Sequence, residues 1–435
     1  MDMQSHPHPV TKVRWPAPAA LVSLALLLSA CAQAKPSSVS ISPENADMLE
    51  PIGNIAVTPL YGLIWPTGSP ILAVIRSERA HLYDLDTLTE QVLQIEYPTV
   101  LAFTQSGEEI AVGAADGELR LWDMTGKLQT TLQGHTANIA GIAFSEDALT
   151  MATVDVNKQV FLWNLENSRP TSVIDLTTWP SATARIETIA ISPDGTTLAL
   201  LSIEQFPTLK LWDIHAGHTL RTLTWVEAAR PFYNFMFSSG WGTVAWVAGG
   251  TVQLMDVSSG AAGATLTHED ALSEWRFSPD GQTFAARTAE TISGEFTGVV
   301  KLWDTDSGVA RHTLTHPDFV SAMAFSPDWK LIATATGFGD IHLWETRTGR
   351  ETALLSGHSD TVWALVFSPD GEMLASASGD GSLYLWDPTS AESLASLSTT
   401  PKTSLADVRF SQDGDWIAAV SDDGEITIWG ISKDK

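Results

Sequence analysis

Apolar runs of five or six residues, parted by short polar turns, set the rhythm of this chain. The stretch from Ser356 to Trp386 shows it most clearly. Gly357-His358 precedes an apolar run from Val362 to Phe367. Ser368-Pro369-Asp370-Gly371 makes a turn, a second run follows, Asp380-Gly381 makes another turn, and a third run ends in Trp386-Asp387. Runs of this length suit strands and are too short for helices, so the stretch predicts a three-stranded antiparallel meander. Val362, Trp363, Ala364, Leu365, Val366 and Phe367 are apolar at every position. Such a strand needs cover on both faces, which a lone meander lacks and stacked copies provide.

The copies are present. The Trp-Asp position recurs as Tyr83-Asp84, Trp122-Asp123, Trp163-Asn164, Trp212-Asp213, Met255-Asp256, Trp303-Asp304, Trp344-Glu345, Trp386-Asp387 and Trp429-Gly430. Successive gaps are 39, 41, 49, 43, 48, 41, 42 and 43 residues, by subtraction. The Ser-Pro-Asp-Gly turn keeps step at Ser192, Ser278, Ser326, Ser368 and Ser411, with small departures.

Two markers in phase over nine units resemble the WD-repeat β-propeller family, from about Asp47 to the C-terminus. The resemblance implies an all-β fold of four-stranded antiparallel blades, with about nine units in one ring. Most propellers have four to eight blades, so a smaller ring with displaced units or a split ring is the alternative. It also implies closure by the N-terminal segment. The last unit stops just after Trp429, and Met48-Leu49-Glu50-Pro51-Ile52-Gly53 resembles the missing fourth strand. A buried polar set is implied as well. Unit 8 holds it in full as His358, Ser376, Ser378, Asp380 and Trp386. His135 precedes unit 3. Asp116, Asp423 and Asn157 occupy the turn position of Asp380, which Phe206 and Phe338 take elsewhere. These residues read as structural, since a buried carboxylate or imidazole needs partners.

Residues 1–30 read as a lipoprotein signal peptide. Lys12 and Arg14 flank an apolar run, Ala19 to Ala30, that is short for a membrane span. Leu28-Ser29-Ala30-Cys31 resembles the bacterial lipobox, and Cys31 is the single cysteine of the chain. The resemblance makes Cys31 the lipidation site and residues 31–46 a flexible tether to the propeller at 47–435. It implies an extracytoplasmic protein held to the cell envelope by lipid alone, at the plasma membrane or the outer membrane.

Insertions show where the units differ. From the first-turn Asp to the Trp takes 16 residues in units 7, 8 and 9, but 23 from Asp280 to Trp303. From one Trp to the next Asp takes 25 between Trp303 and Asp328, but 31 between Trp163 and Asp194. The extra residues lie at 177–180, 225–231 and 289–298, which the family resemblance places on one face. Trp179, Trp225, Arg230 and Phe296 are the aromatic and cationic residues there, and they are the expected partner-binding residues.

The 435 residues carry 24 basic and 51 acidic groups, a net charge of −27. That charge disfavours nucleic acid and anionic lipid as partners. Motifs for acyl transfer, metalloproteolysis and phosphate loops are absent, so no catalytic residue, metal or cofactor is expected. The expectation is a monomeric, non-enzymatic scaffold that binds a protein or peptide. An envelope-assembly lipoprotein, an extracytoplasmic propeller enzyme and a ligand sensor are the alternatives.

Overall fold

The apolar runs become strands, and the turn residues become the corners between them. The computed structural model describes residues 40–431, apart from 57–59, 65–70, 77–78, 86, 88, 105, 182–183, 204–206, 225–231, 269–271, 293–294, 400–401 and 412. Among the described residues, 36 strands form nine four-stranded antiparallel sheets. Eight sheets use four consecutive strands. They are blades 1 (60–93), 2 (98–132), 3 (139–175), 4 (185–224), 5 (232–267), 6 (274–316), 7 (320–355) and 8 (362–398). Blade 9 joins residues 405–430 to the strand Glu50–Ala56.

That strand closes the ring. Pro51 lies opposite Trp429 and Ile55 opposite Ile426. It begins two residues later than the sequence pattern implied. Ala46–Met48 instead forms a single 3-10 turn ahead of it. Residues 40–46, which the sequence reads as the end of a tether, pack on the propeller. Ile41 N donates to Gly414 O at 3.1 Å, and Ser40 Oγ donates to Asp415 Oδ1 at 2.7 Å. Ile41, Ala46 and Leu49 are buried between blades 8 and 9. Three spaced apolar anchors have no strand periodicity, which is why the segment resembles a linker in sequence.

Nine hydrophobic clusters hold the blades together, one for each seam between neighbours. The last seam closes the circle, packing Leu72 and Tyr83 of blade 1 against Trp416 and Ile428 of blade 9. Where a third strand ends in Trp, that residue fills the seam with the preceding blade. Trp122, Trp163, Trp303, Trp344, Trp386 and Trp429 are all buried this way. Double-sided burial of the middle strands therefore comes from neighbours, as the unbroken apolar runs demanded. The fold is a ring of nine blades, and the smaller-ring alternative falls away.

The first strand of most blades carries a β-bulge near its start, for example between Pro98 and Val100, Val320 and Ala322, and Val362 and Ala364. A bulge leaves one residue unpaired and re-aims its side chain. In blades 2 and 7 the bulged residue ties two blades together. Thr99 Oγ1 donates to Ile139 O at 2.7 Å, and Ser321 Oγ to Val362 O at 2.6 Å. In blade 8 the bulged residue is Trp363, and about half of it is exposed.

Candidate partner-binding face

Each blade presents two loops at one end of the ring: the entry loop before its first strand and the turn between its second and third. Blade 8 shows why they meet. His358, in the entry loop, places Nδ1 3.2 Å from Asp380 Oδ2 in the turn, and Nε2 2.7 Å from Ser376 Oγ. Trp386 Nε1 donates to the same Ser376 oxygen at 2.8 Å. A carboxylate only accepts, so His358 carries its proton on Nδ1 and Nε2 accepts from the Ser376 hydroxyl. Ser378 stands beside this chain, donating to Asp360 O at 3.0 Å and receiving Asp380 N at 3.1 Å. Burial would raise the Asp380 pKa, but hydrogen bonds from Ser382 and Ser359 outweigh it and hold the group at about 2. Burial also depresses the His358 pKa, with Asp380 opposing.

This Asp-His-Ser order resembles a nucleophilic triad, yet its surroundings differ. Ser376 is fully buried and its oxygen already receives the indole N–H. An activated hydroxyl must reach a substrate carbonyl, and this one faces the blade interior. The chain of bonds pins the loops to the third strand.

Blade 3 repeats the arrangement with one shift. His135 Nε2 lies 2.7 Å from Thr153 Oγ1, which receives Trp163 Nε1 at 2.8 Å. Its carboxylate is Asp155, 2.8 Å from Nδ1, two positions before Asn157. Sequence alignment of the turns points to Asn157 and misses Asp155. Blade 7 has a third version without a carboxylate. His316 Nε2 lies 2.7 Å from Thr334 Oγ1, which receives Trp344 Nε1 at 2.8 Å. Gly298 O faces the other ring nitrogen at 3.3 Å. Burial, then His342 nearby, lowers the His316 pKa to about 4. A spacing signal reveals all three: His135, His316 and His358 each stand 28 residues before a third-strand Trp. Asp116 and Asp423 have no such histidine. Asp116 accepts from Glu118 N at 2.9 Å, and Asp423 from Glu425 N at 3.3 Å, so both cap their own turns.

Blade 7 lacks the turn carboxylate because Phe338 occupies its place, and that phenyl ring is 72% exposed. Two more aromatics share the area. Phe319, 38% exposed, lies over Gly337: a Cβ there would sit 2.2 Å from its ring. Trp363, 49% exposed, brings its indole nitrogen against Gly379, where a Cβ would sit 3.2 Å away. Thr361 Oγ1 donates to Gly337 O at 3.0 Å and links the two blades here. Asp318 and Asp360 carboxylate oxygens lie beside the same two glycines, and neither they nor Asp340 in the blade 7 turn form an ion pair among the described residues. By contrast, charged groups on the inner strands satisfy one another. Arg287 Nε donates to Glu274 Oε2 at 2.9 Å, and Arg409 pairs with Asp407 at 3.0 Å.

Two of the residues singled out from the insertions, Trp179 and Phe296, lie among the described residues. Trp179 is half-buried on the blade 3–blade 4 seam, with the Lys210 ammonium 4.7 Å from its ring centre. It packs on that seam, where its loop folds back. Trp225 and Arg230 lie outside the described residues. The third insertion is an extended hairpin of two ten-residue strands, Thr283–Ile292 and Glu295–Asp304, with Phe296 opposite Thr291 near its tip. Trp179 therefore lies in the loop before blade 4 and Phe296 in the hairpin of blade 6. No group of three or more His, Cys, Asp or Glu suited to a metal occurs among the described residues.

Fold and site define a nine-bladed β-propeller whose exposed chemistry is a loop face. Comparison with known proteins adds the repeat type. The WD40 family (WD domain, G-beta repeat) matches residues 95–123, 126–164, 349–387 and 392–430. The SIR4-interacting protein SIF2 of Saccharomyces cerevisiae is 37% identical over 67 residues, covering 15% of this chain and 12% of that protein. Actin-interacting protein 1-2 of Arabidopsis thaliana is 28% identical over 140 residues, covering 31% and 22%. The 66 kDa stress protein of Physarum polycephalum is 27% identical over 110 residues, covering 25% and 18%. The matches thus span a quarter or less of these three relatives. The crystal structure of the C-terminal WD40 domain of Sif2 superposes with a TM-score of 0.52 at 17% identity, covering 89% of this chain and 99% of that one. The computationally designed Ika8 protein gives 0.52 at 22% identity, covering 78% and 98%. These superpositions speak for the fold alone.

Proposed function

We propose that this chain is a non-enzymatic scaffold that holds a protein partner on the loop face of blades 7 and 8. The observation that supports it is Phe338. A phenyl ring stands in solvent at the position where blade 8 has Asp380 capping its turn. Exposed aromatics grouped within acidic surroundings suit a partner segment that brings apolar and basic side chains. Two relatives named for interaction with other proteins, SIR4-interacting protein SIF2 and Actin-interacting protein 1-2, agree with a binding role.

The test is a pull-down with the wild-type chain and a Phe338→Ser, Trp363→Ser double variant. Phe338 is mostly in water and Trp363 half so, and melting temperature should hold within a few degrees. Partner recovery should fall at least about tenfold, since central aromatics contribute roughly 2 kcal/mol or more each. A variant pairing Trp225→Ala with Arg230→Ala should keep the partner. Loss in that variant and retention in the first would move the site to the insertions.

The lipoprotein reading rests on residues 28–31 and belongs to the same proposal: Cys31 carries the lipid and the propeller works outside the cytoplasm. In a host that processes lipobox signals, Cys31→Ser should abolish labelling with a fatty acid and release the chain from membranes. Equal labelling of wild type and variant refutes the anchor.

A further inference from the structure

The turn between the second and third strands of blade 3 departs from its counterparts at Lys158. In blades 2, 7, 8 and 9 the equivalent residue is Gly117, Gly339, Gly381 or Gly424, each with φ between 75° and 91°. Gly117, Gly339 and Gly381 are also crowded. A Cβ on Gly117 would sit 2.8 Å from His135 O, and one on Gly339 2.8 Å from His358 O, because the next entry loop lies directly on the turn. Lys158 takes the same left-handed backbone, φ 63°, with a full side chain. Room for it exists because the following loop carries the insertion at 177–180. That loop arches away, and its carbonyls accept from the ammonium: Ser181 O at 2.6 Å and Trp179 O at 3.2 Å.

The displaced loop leaves an open cleft of about 680 Å³ between the turn and the start of blade 4. This size suits a small organic ligand. Asn157, Lys158, Gln159, Thr177 and Arg185 line it, together with Asp155. Lys158 is only 5% exposed, and its two acceptors are neutral carbonyls, which leaves the ammonium charge without a carboxylate among the described residues. The Arg185 guanidinium has no ion pair or hydrogen bond among the described residues. Two uncompensated cations in one cleft are notable on a chain of net charge −27. The opposing charges nearby are already engaged: Asp155 bonds His135 and the Asn157 and Gln159 amides, and Asp175 caps Thr177 N at 2.9 Å.

We propose that this cleft binds a small carboxylate- or phosphate-bearing molecule, with Arg185 and Lys158 facing the anion and the side-chain amide of Asn157 available to its hydroxyls. The site is separate from the aromatic surface of blades 7 and 8. Its failure would leave the scaffold reading intact.

Isothermal titration of the full chain with citrate, and separately with inorganic phosphate, tests it. Wild type should bind at least one of them, and the probe that binds names the anion. Arg185→Gln should weaken that binding about tenfold or more, the loss of one charge-assisted contact, without changing the melting temperature of the unliganded protein. Arg409→Gln, on the inner strands, should bind as wild type does. No binding of either probe to wild type overturns the proposal, as does unchanged binding in Arg185→Gln. A phosphoserine peptide that binds more than about tenfold tighter than phosphate also overturns it, since a peptide rather than a small molecule would then be the occupant.

Discussion

Deleting residues 50–56 should abolish cooperative folding of the whole ring. That strand supplies one edge of blade 9 and pairs with residues 425–430 along its length. Without it, the strand Glu425–Gly430 presents unpaired backbone groups, an edge open to aggregation. The damage spreads because Trp416, Ile426 and Ile428 also close the ring against Leu72 and Tyr83 of blade 1. Loss of one full strand and the loosening of a seam is comparable with the roughly 5–15 kcal/mol that stabilises a typical domain. Thermal denaturation followed by circular dichroism, with size-exclusion chromatography, would show it. Deleting residues 32–38 is the control and should leave the transition in place. A sharp, unshifted transition in the 50–56 deletion would mean that the ring does not depend on this closure.

Acid should destabilise the propeller in a window set by His316. Its folded pKa of about 4 lies below the ordinary value of 6.5. The unfolded chain takes up the proton more readily than the folded one. The contribution is therefore fully present above about pH 6.5 and is lost as pH falls toward 4. A shift of this size corresponds to about 3 kcal/mol when complete. His135 and His358 are depressed in the same direction by burial, each opposed by its carboxylate. Asp380 acts in a separate window, since its stabilisation is present above 3.8 and fades as pH falls toward about 2. Melting temperatures of wild type and His316→Gln between pH 4 and 7 separate the terms. The variant should be less stable at pH 7, having lost the bond to Thr334, and its curve should be flatter between 6.5 and 4. Parallel curves would assign the acid sensitivity elsewhere.

Loop features were harder to read from sequence than strands were. The loss of a carboxylate at Phe338 is visible in the repeat, but its exposure depends on where the turn lands beside Phe319 and Gly337. Trp363 is one of six consecutive apolar residues, and nothing in that run marks it as the one a bulge turns outward. Asp155 escaped because it reaches His135 from two positions earlier than the repeat predicts. Trp179, selected as an outlying aromatic, folds onto the seam beside Lys210.

The sequence by itself determined the strands, their grouping in nine units and the role of the third-strand tryptophans. These follow from local periodicity and turn chemistry, which repeat often enough to reinforce one another. It also marked His135 and His358 as members of a buried polar set, but not His316. Only the tertiary structure decided that nine blades close one ring, because closure depends on the angle each seam adopts and on an N-terminal strand meeting a C-terminal one. It alone decided which aromatics face water and which cations lack a counter-charge. Both depend on contacts between loops of neighbouring blades, about forty residues apart in the chain, and no local pattern encodes them.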